Sequence, residues 1–220
     1  KENVAPRVIL TEGGSMTDIY VYNQLTKDNN GNIKVDQNGN LGITSSNTPV
    51  KVGNLDADFN LGWTNHFTYK GIDLGVVLSA RVGGLAYSAT QGILDYYGVS
   101  GTSATARDNG GIPINNGKVN AQKYYQTIGT GEGGYGRYYL YSATNVRLQE
   151  LSLNYTLPKR WFKNVANVTL GIVGRNLWML YCKAPFDPES TASTGTYNQG
   201  MDYFMQPSLR SMGFSAKISF

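Results

Sequence analysis

The strongest constraint on the fold is a two-residue period of apolar side chains in the segment 59–82. In its first half the odd positions are almost all apolar and the even positions are polar or glycine; the apolar ones are Phe59, Leu61, Trp63, Phe67 and Tyr69. After Lys70 and Gly71 the alternation resumes on the even positions of 72–82. Successive side chains of a strand point to opposite faces, so this pattern predicts two long strands joined by a tight hairpin turn.

The same alternation predicts four further strands, over the segments 16–24, 144–157, 167–180 and 212–220. The apolar parity changes near Gln149 and Glu150, which predicts a β-bulge there. The connections are of two kinds, two short (70–71 and 158–166) and three long and polar (25–58, 83–143 and 181–209). Short turns at one rim and long loops at the other are typical of outer-membrane barrels.

Composition excludes several other classes of protein. Charged residues make up 15% of the chain, against about 25% in an ordinary soluble domain, and 12% aromatic residues argue against disorder. Cys182 is the single cysteine, so no disulfide framework is expected within this sequence. The net charge of +4 comes without a dense basic run, so no nucleic-acid partner is predicted.

Membrane crossing is expected through strands rather than helices. The sequence has no run of about 18 apolar residues, but a membrane-spanning strand needs only about 9 to 11 residues with alternation. Low charge on one face and Thr, Ser, Asn and Gly on the other fit a strand between lipid and a polar lumen. A soluble β-sandwich would show the same alternation and stays an alternative. Six strands cannot close a membrane barrel, so the chain is predicted to be part of a longer polypeptide.

Several short segments, in order along the chain, resemble the C-terminal barrel region of the SusC/RagA-type TonB-dependent outer-membrane transporters of Bacteroidetes. The matching segments are Gly31–Asn40, Val52–Trp63, Tyr69–Leu74, Arg81–Gly84, Asn145–Pro158, Gly174–Leu177 and Phe186–Glu189. The terminal alternation of Phe214, Ile218 and Phe220 resembles the signal by which such barrels are recognised for assembly. The chain departs from the family pattern at Leu55 and Ala57, where prolines are common.

This resemblance implies an all-β fold in which residues 1–220 are the C-terminal part of a barrel of about 22 strands. The chain would supply the last six antiparallel strands and long extracellular loops, while the plug and the remaining strands lie outside it. The implied function is TonB-dependent import of a nutrient across the outer membrane, with a SusD-like surface lipoprotein as lid. The expected partners are therefore that lipoprotein, TonB through the plug, outer-membrane lipid and the rest of the barrel. Oligosaccharides are the expected cargo, with oligopeptides as the alternative.

A function of a different class, a secreted glycan-binding β-sandwich or adhesin, also fits the loops rich in Tyr and Gly. Catalysis is not expected, because His66 is the single histidine and no nucleophile–base set is visible. His66 and Arg81 both fall on the polar face of their strands, so we expect them to line the lumen. No metal or cofactor is predicted.

The long connection 83–143 is the best candidate for cargo contact. It combines many tyrosines with a few charged and amide side chains, and tyrosine offers both a stacking face and a hydroxyl. The predicted contact residues are Tyr96, Tyr97, Arg107, Asp108, Tyr124 and Tyr138.

Two acidic segments can each be interpreted as a structural or as a functional feature. The segment Asp36–Asn40 resembles the start of a calcium loop, but the later ligand positions are absent and a turn is the preferred interpretation. Asp187 and Glu189 could bind a cation or the lid protein, although a solvated loop is expected.

Overall fold

The computed structural model describes residues 5–129, 135–190 and 200–219, and about half of the chain is in strands. The elements in chain order are β1 (Arg7–Val8), β2 (Asp18–Leu25), β3 (Ile43–Asn54), β4 (Phe59–Tyr69), β5 (Ile72–Val82), β6 (Leu85–Ser88), α1 (Ala89–Tyr96), α2 (Gly101–Asp108), β7 (Ile112–Ile114), β8 (Gly117–Val119), α3 (Ala121–Ile128), β9 (Leu140–Ser142), β10 (Asn145–Thr156), β11 (Asn167–Cys182), β12 (Met201–Asp202) and β13 (Ser211–Ser219). Short 3₁₀ turns occupy Gly136–Tyr139 and Lys159–Phe162. Within the described residues, no helix is both long and apolar enough to cross a membrane.

The chain forms two compact units. Unit one comprises Lys1–Asp56, Gly84–Ser142 and Glu189–Met205, and unit two comprises Ala57–Gly83, Ala143–Pro188 and Gln206–Phe220. Unit two contains one antiparallel sheet with the strand order β13-β11-β10-β5-β4. Five of the six strands predicted from the alternation therefore lie in this sheet.

The predicted hairpin between β4 and β5 is confirmed. Tyr69 pairs with Ile72, and the two turn residues, Lys70 and Gly71, both have positive φ, 47° and 86°. That combination is the type I′ turn, whose twist matches that of the flanking strands. The carbonyl oxygen of Gly71 also accepts a 2.7 Å hydrogen bond from the Thr156 N–H, which fixes the turn against the next strand of the sheet.

The predicted bulge in β10 is also confirmed. The register shifts between Leu148 and Glu150 against both neighbouring strands; against β5 the extra residue is Gln149, whereas against β11 the extra residue belongs to β11. In β11 the backbone opposite this point passes through Asn176, whose φ is 52°. The bulge explains the change of parity, because apolar side chains on both sides of it stay on one face.

One face of this sheet is apolar and exposed. Directly paired residues form a row across all five strands, from Phe67 through Leu74, Leu153 and Ile172 to Phe214. The side chain of Phe214 is 91% exposed. A soluble domain would cover such a face, since contiguous exposed apolar patches of this extent are rare in monomeric soluble proteins.

Unit one differs in having a buried apolar core. It contains the small sheets β1-β2-β3, β12-β6-β9 and β7-β8, together with the three helices. Its core includes four buried tyrosines, and Tyr139 and Ile128 are fully buried. The sixth predicted strand, β2, lies here and pairs with β3.

Two assignments of connecting segments were wrong. Residues 43–54, predicted as part of a long connection, form β3. The sequence of β3 shows no apolar alternation because its positions are half-buried or exposed. The connection 83–143 contains α1, α2 and α3. Each helix has eight residues, about two turns, which is too short for a 3.6-residue period to be recognised in sequence.

Candidate functional site

The face of the unit-two sheet opposite the apolar row is polar. Its matching row runs from Thr68 through Asp73, Asn154 and Gly171 to Ser215. A Cβ on Gly171 would collide with the side chains of Asn154 and Ser215, so glycine is what allows these polar groups to crowd together.

His66 and Arg81 lie on this polar face, where the alternation placed them. His66 Nδ1 is 3.8 Å from Asp73 Oδ1, and both side chains are exposed. Arg81 pairs across the sheet with Asn60 and Asn145. Their role as lumen-lining residues stays a prediction.

A buried ion pair lies at the end of the sheet from which the long connections leave. Arg147 Nη2 donates to Asp187 Oδ1 at 2.7 Å, and the two side chains are only 3% and 7% exposed. Arg147 Nη1 donates to Asn176 Oδ1 at 2.8 Å. Asp187 is therefore not the solvated loop residue that the sequence suggested, nor is its carboxylate free to take a cation.

The same carboxylate holds the segment that leads into β13. Ser208 donates to Asp187 Oδ2 through its N–H at 3.2 Å and its hydroxyl at 2.6 Å. Asn176 Nδ2 donates to the Ser208 carbonyl oxygen at 2.9 Å. The Arg147–Asp187 pair thus joins β10, β11 and both ends of the connection 183–210 into one hydrogen-bonded cluster.

The predicted cargo-contact residues lie in unit one, and three of them meet in one cleft. This cleft has a volume of about 450 Å³ and lies between the C-terminal end of α1, the α2 helix and the first turns of α3. Tyr96, Tyr97 and Arg107 line it, together with Gln122 and Gln126.

The walls of the cleft are held by a buried carboxylate. Asp95 accepts hydrogen bonds from Gln91 Nε2 at 2.9 Å, from Thr102 Oγ1 at 2.8 Å and from the Ser100 hydroxyl. Ser100 is also the N-cap of α2, where its hydroxyl accepts the Ser103 N–H at 3.0 Å. These bonds fix the end of α1 against the beginning of α2, because a buried carboxylate is stable only when its oxygens are hydrogen-bonded.

Arg107 reaches from α2 to the end of α1. Its Nη1 donates to the Gly98 carbonyl oxygen at 2.7 Å. Gly98 has a φ of 71°, and a Cβ there would lie 3.1 Å from Nη1, so glycine allows both the turn and the approach of the guanidinium. Tyr97, next to this turn, is 73% exposed.

The other three predicted contact residues do not line the cleft. Tyr124 is buried in the core of unit one, where its ring makes edge contacts with Tyr125 and Tyr138 at centroid distances of 5.1 and 6.1 Å. Tyr138 is exposed on one side of that ring cluster, and Asp108 is exposed outside the cleft lining.

Burial keeps the core tyrosines neutral. It raises the pKa of Tyr87, Tyr125 and Tyr141 to about 12. Burial, and secondarily the charge of Asp95, also raises the pKa of Tyr139. These hydroxyls therefore act as neutral hydrogen-bonding groups over the whole physiological range.

The sequence missed Gln122, Tyr125 and Gln126 as cleft residues. Gln122 and Gln126 are four residues apart on α3, a spacing that would have placed them on one face had the helix been recognised. The signal available was Asn120, which caps α3 by accepting the N–H groups of Gln122 and Lys123 at 2.9 and 3.3 Å.

The segment that resembles a calcium loop forms a turn. Asp36 Oδ1 accepts the N–H groups of Asn38 and Asn40, both at 2.8 Å. Asp28 makes the same bonds eight residues earlier, to Asn30 and Asn32. Within residues 5–129, 135–190 and 200–219, no group of three His, Cys, Asp or Glu side chains is placed to hold a metal ion.

Comparisons with known proteins point to one class. No family model matches the sequence. TonB-dependent receptor P3 from Formosa agariphila is 26% identical over 201 residues, which cover 88% of this chain and 19% of the receptor. The chain therefore spans about a fifth of the length of this curated relative.

Two solved structures have a similar fold. The RagAB peptide importer in the closed-closed state matches with a TM-score of 0.59 and 16% identity over 96% of this chain and 24% of the other. In the open-open state the TM-score is 0.51, again with 16% identity, over 92% of this chain and 20% of the other.

These similarities confirm the resemblance seen in the motifs. The chain is similar in sequence to a TonB-dependent receptor, and its mostly stranded fold is similar to part of a RagAB importer chain. It is accordingly an outer-membrane protein. Its position within a longer receptor stays a prediction, and Phe220 of the predicted assembly signal lies outside the described residues.

Proposed function

We propose that this chain is part of an outer-membrane transporter that imports a nutrient, most simply oligosaccharides, with energy from TonB and a SusD-like surface lipoprotein as lid. The observation that carries the proposal is the five-stranded sheet of unit two, with one apolar exposed face and one polar face. Sequence similarity to a TonB-dependent receptor supports it independently.

The apolar face suits contact with lipid. Its cross-strand row is continuous from Phe67 to Phe214, and large apolar side chains project from every strand. Lipid-facing strands of a barrel alternate apolar outward and polar inward in this way. A β-sandwich, as in the adhesin alternative, would need a second sheet over this face, and the described part of unit two contains one sheet.

The connections at the two ends of the unit-two sheet differ in length. The turn 70–71 and the connection 157–166 lie at one end, while 83–144 and 183–210 leave from the other. Outer-membrane barrels have short periplasmic turns and longer extracellular loops. We therefore assign the long connections, which include the helices and the cleft residues, to the extracellular side.

Oligosaccharides are the proposed cargo because the cleft combines tyrosine rings with amide side chains. Sugars bind such surfaces by stacking on the ring face and by hydrogen bonds to amides. Oligopeptides are the second candidate, and the observation favouring them is the fold similarity to an importer described as a peptide importer.

The proposal is tested by uptake in the cells that carry the gene. Deletion of the full transporter gene should abolish growth on oligosaccharides and the uptake of a fluorescently labelled oligosaccharide. Re-expression of the gene should restore both. Loss of growth on oligopeptides alone would favour the second candidate. Unchanged uptake of both classes, or recovery of the protein without detergent in the soluble fraction, would contradict the proposal.

A further inference from the structure

The cleft of unit one contains a single exposed cationic side chain among its lining residues, Arg107. We propose that this cleft binds an anionic group of the cargo, a carboxylate or a sulfate, through Arg107. The proposal rests on the import function proposed above and adds the chemical class of what is imported.

The guanidinium of Arg107 is only partly used by the protein. Its Nη1 donates to the Gly98 carbonyl oxygen at 2.7 Å and lies 3.5 Å from Ser103 Oγ. Among the described residues, Nε and Nη2 of Arg107 make no hydrogen bond.

The planar N–H donors of arginine match the paired oxygens of a carboxylate or sulfate. Hydrogen bonds between these charged groups are about twice as strong as those between neutral groups.

Within the described part of the chain, no exposed carboxylate lines the cleft to compete for this cation. Asp95, the only acidic residue among the described lining residues, is 2% exposed, and its Oδ1 accepts bonds from Gln91, Ser100 and Thr102. The Tyr125 hydroxyl is neutral because burial raises its pKa to about 12. The exposed charge of the cleft is therefore positive, which attracts an anionic group and repels a cationic one.

The other exposed groups suit a chain of polar units rather than a free ion. Tyr97 presents its ring at the rim, and Gln122 and Gln126 offer two amides on one face of α3. An acidic sugar residue or the C-terminal residue of a peptide would place its anionic group on Arg107 and its remaining atoms against these side chains.

A purely structural role for Arg107 predicts a different outcome. If the guanidinium only caps the C-terminal end of α1, its loss should weaken binding of charged and neutral cargo equally. If it binds the anionic group, its loss should affect charged cargo alone.

The experiment measures binding to the full transporter, purified in detergent with its lipoprotein. Calorimetry uses four probes in two pairs: tetragalacturonate with neutral cellotetraose, and N-acetylated tetra-alanine with its N-acetylated C-terminal amide. The wild type should bind the acidic member of at least one pair more tightly. Arg107→Gln should weaken that binding about 10-fold and leave the neutral member unchanged, and Arg107→Lys should fall between.

Lys118→Gln is the matched control, because it removes one positive charge from the same unit outside the cleft lining. It should leave all affinities unchanged, and tyrosine circular dichroism should show that the Arg107 variants are folded. Tyr97→Ala distinguishes an acidic sugar from a peptide C-terminus as the bound group. If the cargo is an acidic sugar, this variant should weaken binding of tetragalacturonate more than that of the peptide.

Equal affinity for acidic and neutral probes in the wild type, or equal loss of both in Arg107→Gln, would overturn the proposal. Either result leaves the import function intact if the transporter still supports uptake. Failure of uptake itself would instead overturn the proposed function.

Discussion

The two units of this chain distribute their apolar and polar side chains in opposite ways. In unit one a cluster of aromatic side chains forms the core, with Tyr139 completely buried. In unit two Phe214 is 91% exposed, while the charged side chains of Arg147 and Asp187 are the buried ones. The import function proposed above accounts for this difference, because it places the two units in different solvents.

The difference follows from the free energy of transferring each face. A buried aromatic in unit one gains free energy because its surface leaves water. An apolar side chain on the exposed face of unit two would gain no free energy by burial in protein if it is already surrounded by the hydrocarbon of a membrane. The polar groups of unit two therefore need hydrogen-bonded partners on the inner face, and the Arg147–Asp187 cluster supplies them.

The largest effect should come from breaking the buried ion pair of unit two. Asp187→Ala leaves the Arg147 guanidinium without its carboxylate, which costs about 3–5 kcal/mol for a buried pair. Denaturant unfolding of the full transporter in detergent should measure this loss. Glu150→Ala is the control, because the side chains of the Arg175–Glu150 pair are 68% and 32% exposed and its loss should cost at most about 1 kcal/mol. Equal effects of the two variants would remove the contrast between the units.

A charge on the apolar face of unit two should have the next largest effect. Leu153 lies at the centre of the apolar row, so Leu153→Lys should destabilise the transporter by about 2–4 kcal/mol in a bilayer. Thr64→Lys places the same charge on the polar face and should cost less than about 1 kcal/mol. The comparison is made by refolding titration into lipid vesicles. Equal stability of the two variants would contradict the assignment of the apolar face to lipid.

Alkaline pH should unfold unit one before unit two. Burial raises the pKa of Tyr87 to about 12, above the value of about 10 for a free tyrosine. Between these values the unfolded chain loses its proton and the folded chain keeps it, so the stability is present below about pH 10 and is lost as the pH rises through about 12. Tyrosinate absorbance, followed with tyrosine circular dichroism, should show a cooperative loss of unit one, and independent titration of each tyrosine would contradict this.

The smallest effect should come from the hairpin of unit two. Gly71 has a φ of 86°, and a Cβ there would lie 2.9 Å from the Thr156 carbonyl oxygen, so Gly71→Ala should cost about 1–2 kcal/mol. Lys70→Gly is the control, because glycine also accepts the positive φ of that position. The folded fraction on semi-native gels measures both variants. Equal stability of the two would show that the turn is not constrained.

The sequence was sufficient for the long strands and insufficient for much of unit one. The period of two placed β4, β5, β10, β11 and β13 because each has one face in a uniform environment. It even located the bulge at Gln149, where the parity changes. Strand β3 and the three helices gave no periodic signal, since β3 is mostly polar and each helix has only two turns.

The candidate site was predicted by residue type but not by position. Tyr96, Tyr97 and Arg107 meet in the cleft, whereas Tyr124 is used in the core. Composition cannot separate these uses, because a tyrosine serves equally well inside and at a binding surface. The Arg147–Asp187 pair was missed for another reason: its partners are 40 residues apart, and only the register of β10 and β11 brings them together.

The most direct test of the contrast between the units is the environment of successive side chains along β4. Single cysteines at Leu61, Trp63 and Phe67, or at Thr64, His66 and Thr68, are introduced in a Cys182→Ser background of the full transporter in lipid vesicles and spin-labelled. If β4 lies between lipid and a polar lumen, lipid-soluble oxygen should relax the first set and a water-soluble nickel chelate should relax the second. Equal access of the nickel chelate to both sets would contradict it.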